Sequence, residues 1–337
     1  MKKIFNLIAS FVLLAGFSAC NKDGSDKPGL PPAPVPTVNY KGLTFISSGK
    51  STVCLAKVGA PDEITLEYST DESQWNPYTI GEKISMADGS FLLFRAGEQK
   101  NLTFSKGSDS YYHFEISGPV TAQGNIMSLL DRDFSTPLST NAFFALFEGC
   151  TSLLSAPELP ATTMEQGCYF RMFAECTGLK SAPELPAKEL AYNCYGWMFK
   201  GCSALTYVPD LPATEMVSYC YNNMFANCTS LKFAPELPAT RLDMGCYHCM
   251  FEGCTSLTSA PELPATELVS NCYEFMYKDC RNLRYVIGLF TTEPSEKTTK
   301  DWLSGVAASG TFIKSKKATW DVTSADGVPE GWKIETW

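Results

Sequence analysis

From residue 150 to residue 280 the apolar positions return on a fixed cycle of 26 residues. One series of cysteines stands at Cys150, Cys176, Cys202, Cys228, Cys254 and Cys280. A second series, Cys168, Cys194, Cys220, Cys246 and Cys272, keeps the same interval. Within one unit Leu190, Cys194, Met198 and Cys202 recur every four residues, with Phe199 beside them. Apolar positions so spaced predict a helix with one buried side. Thr162, Thr214, Thr240 and Thr266, just ahead of that stretch, are placed as its N-caps, with Lys188 breaking the column. The other half of the unit, Leu179 to Pro183, is short and extended. Pro183 and Pro186 exclude a helix there and limit a strand to a few residues.

A period between about 20 and 29 residues is the sequence signature of a leucine-rich-repeat solenoid. The expectation is therefore an α/β leucine-rich-repeat solenoid over residues 150–290, each 26-residue repeat giving one short parallel strand and one helix. No single repeat could bury its apolar side alone, so stacking is what would stabilise it. Residues 119–149 read as a joining segment and N-terminal cap, because Ala142, Phe143, Leu146 and Phe147 fill the repeat columns in degenerate form. Residues 291–337 read as a C-terminal cap, with Trp302, Leu303, Phe312, Trp320, Trp332 and Trp337 closing the stack. Upstream, residues 40–118 carry short β-prone runs, at Leu43–Phe45, Thr52–Leu55, Ile64–Tyr68, Phe91–Phe94 and Tyr111–Phe114. Gly, Asp, Ser and Pro split them, and they predict a small all-β sandwich with its joint near Gly118-Pro119.

The first residues change the picture of where this fold resides. Met1-Lys2-Lys3, an apolar run from Ile4 to Phe17 and the small residues Ser18-Ala19 form a secretory signal over residues 1–19. Cys20 follows directly, and the arrangement resembles a bacterial lipobox, which implies a lipid on that thiol. Residues 20–39 are an acidic, then proline-rich, tether: Asn21 to Lys27 is charged and Pro28 to Pro36 is an extended spacer. Such a tether resembles the signal that sends lipoproteins to the exterior of the outer membrane. Removing residues 1–19 takes away two lysines and no acid, so the net charge of −9 becomes −11. A chain this acidic excludes nucleic acid as a partner, and contact with a membrane is expected only through the lipid on Cys20.

The units Cys-Thr-Ser-Leu-x-x-Ala-Pro-Glu-Leu-Pro-Ala-Thr and Cys-Tyr-x-x-Met-Phe-x-x-Cys carry a family likeness. With Gly124–Leu130, Trp302–Val306 and Gly327–Trp332 as flanks, they resemble the BspA-like leucine-rich-repeat surface proteins of Bacteroidota. The resemblance implies surface display and adhesin-like binding of host or bacterial proteins, and it supplies no catalytic residues.

Candidate chemistry is sparse. With Cys20 lipidated, thirteen of the fourteen cysteines remain, an odd number. The ladders are read as buried thiols acting as small hydrophobes, or as disulfide staples that an oxidising compartment would permit. Cys246, His248, Cys249 and Cys254 suggest zinc, but their spacing fits no common site, and no metal or cofactor is expected. The acidic column Glu158, Glu184, Asp210, Glu236 and Glu262 reads as solvated carboxylates, or as a surface for a cation or a basic ligand. Only two histidines are present, His113 and His248, and no phosphate-binding or dinucleotide motif occurs, so an enzyme is not expected. What remains is a binding face. The position two after the repeat leucine varies as Ser155, Ser181, Tyr207, Phe233, Ser259 and Tyr285, and it is read as the ligand row on the strand side. The aromatics in it could equally pack on neighbours. A protein ligand is expected there, a glycan is the alternative partner, and a passive coat is the third reading. The tyrosine column Tyr169, Tyr195, Tyr221, Tyr247 and Tyr273 is read as half-buried packing.

Overall fold

A computed structural model describes residues 41–99, 102–320, 323–324 and 326–337. The expected signal, Cys20 and the whole of the tether lie outside the described residues. Residues Asn39–Trp337 form one compact unit. Among the described residues no helix is long and apolar enough to cross a membrane.

The N-terminal part is built from β1 (Thr44–Ser47), β2 (Ser51–Val58), β3 (Leu66–Ser69), β4 (Asn76–Tyr78), β5 (Ile84–Met86), β6 (Phe91–Ala96), β7 (Ser105–Gly107), β8 (Ser110–Ser117) and β9 (Val120–Gln123). The β-prone runs of the sequence fall on β1, β2, β3, β6 and β8. Strands β5-β2-β8-β7 make one antiparallel sheet, and β9-β1-β6-β3-β4 make the antiparallel body of another. The two meet through aromatic rings: Phe45 and Phe94 of one sheet lie 5.0 and 5.6 Å from Phe114 of the other. Edge-to-face rings at these separations add to the burial of their area. A single 3-10 turn, Ile126–Leu129, follows, capped by Asn125 Oδ1, which accepts from the Met127 amide.

Beyond it, β10 (Leu153–Ser155) pairs in parallel with β9, so the first repeat extends the sheet of the N-terminal part. The repeats themselves correct the expected α/β strand-and-helix solenoid. Among the described residues there is no α-helix, and the segments assigned to helices are ribbons of consecutive tight turns. The backbone accounting gives the reason. The amides of Cys168, Phe170, Met172, Ala174 and Cys176 donate locally, each to the carbonyl three residues back. The alternate amides of Gly167, Tyr169, Arg171, Phe173 and Glu175 donate across to the next coil, at Tyr192, Cys194, Gly196, Met198 and Lys200. An α-helix would spend every amide on its own carbonyl four residues back and leave nothing for the neighbouring coil.

Every fourth residue of the ribbon bends left-handed. The positions are Asn193, Trp197 and Gly201 in one coil (φ 54°, 59° and 75°) and Gly245, Cys249 and Gly253 in another (φ 59°, 53° and 71°). Two of these three columns are filled mainly by Gly, Asn and Asp, the residues that adopt this conformation at least cost and that are poor helix formers. The threonines expected as N-caps cap no helix. They sit at coil corners, where Thr214 and Thr266 accept backbone bonds from Thr240 and Thr291.

The interior is a set of ladders. Phe147, Phe173, Phe199, Phe225, Phe251 and Tyr277 stack at 5.3–5.7 Å. The tyrosine column, with Phe143 at its head, stacks at 5.8–6.0 Å and is fully buried rather than half-buried. At the far end β11 (Ser259–Leu263), β12 (Tyr285–Gly288), β13 (Thr311–Lys314) and β14 (Lys333–Thr336) form a parallel sheet in sequence order. Trp302 stacks on Tyr273 at 6.1 Å, and its indole N–H donates to Gly327 O at 2.7 Å. The N–H groups of Trp320 and Trp332 likewise reach Phe290 O and Ala307 O. The three buried indole N–H groups are thus matched, whereas the buried Tyr273 and Tyr277 hydroxyls beside Trp302 meet no hydrogen-bond partner among the described residues.

Candidate functional site

The thirteen described cysteines are all free and buried. Their ladders have a use beyond filling space. Each thiol of the Cys150 series donates to a phenylalanine carbonyl one coil back: Cys176 to Phe147, Cys202 to Phe173, Cys228 to Phe199, Cys254 to Phe225 and Cys280 to Phe251, at 3.0–3.2 Å. Cys150 itself donates to Phe114 O at 3.0 Å, tying the stack to β8. In the second series Cys168 and Cys220 point at Met164 and Met216 sulfurs. Burial pushes the thiols up, to about 12 for Cys150, Cys194 and Cys254 and about 11 for Cys272. Thiols so raised stay protonated at neutral pH, and the thiolate is the reactive form.

Cys249 lies outside both series, in a left-handed position on the outer turn face, and is 6% exposed. Its Sγ lies 3.8 Å from His248 Nε2, which also faces Glu274 Oε2 at 3.6 Å, while His248 Nδ1 meets Asn222 Oδ1 at 3.1 Å. The outline is that of a thiol, an imidazole and an orienting amide. Burial and the carboxylates of Glu252 and Glu274 push the Cys249 thiol up, and burial lowers His248. Among the described residues no three His, Cys, Asp or Glu side chains gather as a metal-holding group. Cys246 and Cys254, grouped with His248 and Cys249 by sequence, are interior ladder members.

The row read as the ligand face is assembled in part by backbone pairing. Ser181 pairs with Tyr207, and Ser259 pairs with Tyr285, both in parallel. Ser155 is half-buried and donates to Ala122 O at 2.9 Å, so it serves the joint with β9. Tyr207 is half-buried, and burial followed by Glu184 and Asp210 pushes its phenol up. Phe233 is 60% exposed, more than any other exposed large hydrophobic side chain among the described residues. The acidic column lies beside this row. Glu158, Glu184, Asp210 and Glu236 are exposed, and burial and then Glu236 raise the half-buried Glu262.

Sequence reasoning missed the outer turn face. There Phe144 stacks on Phe170 at 5.6 Å, Phe170 meets Trp197 at 6.4 Å, and the Lys200 ammonium sits 3.7 Å over the Trp197 ring. The available signal was the recurrence of Gly and Asn every four residues, which marks the turns and so the residues that point outward between them. Clefts of about 550 Å³, bounded by Leu303, Gly305, Ser324 and Glu330, and about 280 Å³, bounded by Ile84, Met86 and Phe91, lie away from the row.

Compared with models of known protein families, with curated proteins and with solved structures, the chain matches none.

Proposed function

We propose that the chain is a non-enzymatic recognition protein, held at the exterior of the outer membrane by lipid on Cys20, whose stacked coils present a row of side chains to a protein partner. The resemblance to BspA-like surface lipoproteins supports the address and the adhesin-like role. The strand-and-helix fold expected from the repeat period is set aside. One observation carries the reading: Phe233 stands 60% exposed in a coil whose turn ribbon, Tyr219 to Asn227, is fastened to the coils on either side by backbone hydrogen bonds. A large apolar ring held in water on a rigid frame gains free energy when a partner covers it, and its ordering has already been met by folding. A protein partner is favoured over a glycan because neither of the clefts above is lined by a residue of the row.

The test is a capture experiment with residues 39–337, the compact unit, against surface-exposed host and bacterial proteins. Phe233→Ala and Tyr207→Ala are expected to weaken any specific complex by at least ~30-fold, the size of a central aromatic anchor, with unchanged melting temperature for Phe233→Ala. Binding that ignores both substitutions removes this face from the function.

A further inference from the structure

Exposed charged positions flank the ligand row on both sides. One residue before the ligand row, Lys180, Lys232 and Arg284 are exposed at the coil corners. Three residues after it run the five acids, from Glu158 to Glu262. Among the described residues none of these eight groups forms an ion pair. The reason is distance: in extended chain, Lys232 and Glu236 of one coil are about 13 Å apart, beyond reach of each other. The aromatic row, with Phe233 its most exposed member, lies between them.

We propose that this face recognises a second copy of the same chain; the inference rests on the reading of the face as the recognition surface and names its partner. Consider a two-fold axis lying in the interface and running along the stack. It leaves each coil level with its own image and exchanges left for right. The cationic row of one copy then covers the acidic row of the other, Lys232 against Glu236 of the second copy, and the two Phe233 rings lie side by side across the axis. An acidic foreign partner would be repelled by five carboxylates, and a basic one would leave three cations opposed. The face is complementary to itself, as a two-fold interface must be.

Its size sets the strength. Six coils at ~4.8 Å by four residues at ~3.3 Å give roughly 400 Å² per copy. About 800 Å² in total lies below what a stable dimer needs, so the association is weak and reversible. Weak contacts of this kind become effective between molecules confined to one surface, where local concentration is high.

The experiment is sedimentation of residues 39–337 from about 10 to about 500 µM, at low and at high salt. A monomer–dimer equilibrium that weakens with salt is expected. Lys232→Glu and Glu236→Lys should each weaken it at least ~10-fold, because each sets like charges opposite one another twice per dimer. The double variant Lys232→Glu/Glu236→Lys restores the pairing and should recover most of the loss. Lys180→Glu and Glu184→Lys, singly and together, repeat the test two coils away, should either first variant misfold. A monomer at every concentration, or a double variant no better than the singles, overturns the proposal. Should a foreign protein still be captured through Tyr207 and Phe233 in that case, the protein-recognition reading stands while self-recognition falls. With neither form of binding, both fall.

Discussion

At the residue scale the clearest signature of this face is electrostatic. Glu262 sits half-buried beside Glu236, and burial first, then the neighbouring carboxylate, raise its pKa above the ordinary glutamate value. The sign follows from linkage. A carboxyl whose folded pKa is raised opposes folding once it ionises, so its effect is absent below the unfolded value of about 4.3 and grows as pH rises through the folded one. Glu262→Gln is therefore expected to raise the melting temperature at pH 7, with the advantage closing as the pH falls toward about 4. A variant less stable than the parent at neutral pH would mean that the carboxylate is held by a favourable contact. The acid column was visible in the sequence because five acids share one phase of the repeat. That the pKa of Glu262 is raised was not visible, because it depends on how deeply one coil is covered by the next.

At the scale of elements, the period was legible and the conformation was not. Leu190, Cys194, Met198 and Cys202 were read as one side of a helix, yet their spacing is four, not 3.6. On a helix each step of four overshoots by about 40°, so four such residues spread over about 120° of the surface. A spacing held at four marks a turn repeated every four residues, and the Gly and Asn at Asn193, Gly201, Gly245 and Gly253 were the second clue. The far-ultraviolet circular dichroism of residues 39–337 is expected to lack the helical double minimum; a spectrum with substantial helix would reject the turn ribbon. The ladders also predict where the elements are most sensitive. Phe225 lies 5.7 Å from Phe199 and 5.7 Å from Phe251, fully buried, so Phe225→Ala leaves a void that two flanking rings cannot fill. A loss of about 3–5 kcal/mol is expected in denaturant titration. The sequence supplied these columns directly, since any 26-residue cycle must bring like residues together once the coils stack. It did not supply the depth of the tyrosines, because a helix would have turned them halfway out.

At the scale of the whole molecule, the two ends of the stack are closed by different means, and the thiol ladders make that difference measurable. On the N-terminal side Phe147 stacks on Phe114 at 5.2 Å, β10 joins β9, and Cys150 bonds to Phe114 O, so the first coils are fastened to a sheet with its own core. On the C-terminal side closure depends on Trp302, fully buried against Tyr273, Tyr277, Phe290 and Phe312. A stack in which each coil touches only its neighbours loses stability from an opened end inward. Each full coil carries one buried thiol from each series, and a buried thiol with a raised pKa reacts only when its coil opens. Trp302→Ala, a change of about 3–5 kcal/mol at one end, is thus expected to expose Cys272 and Cys280 to an alkylating reagent first. Cys246 and Cys254 should follow, with Cys168 and Cys176 last. Mass spectrometry of the modified peptides reads the order directly. Simultaneous labelling of every coil would mean that the stack opens as one cooperative block, and the sandwich would then be a passenger on it rather than its anchor.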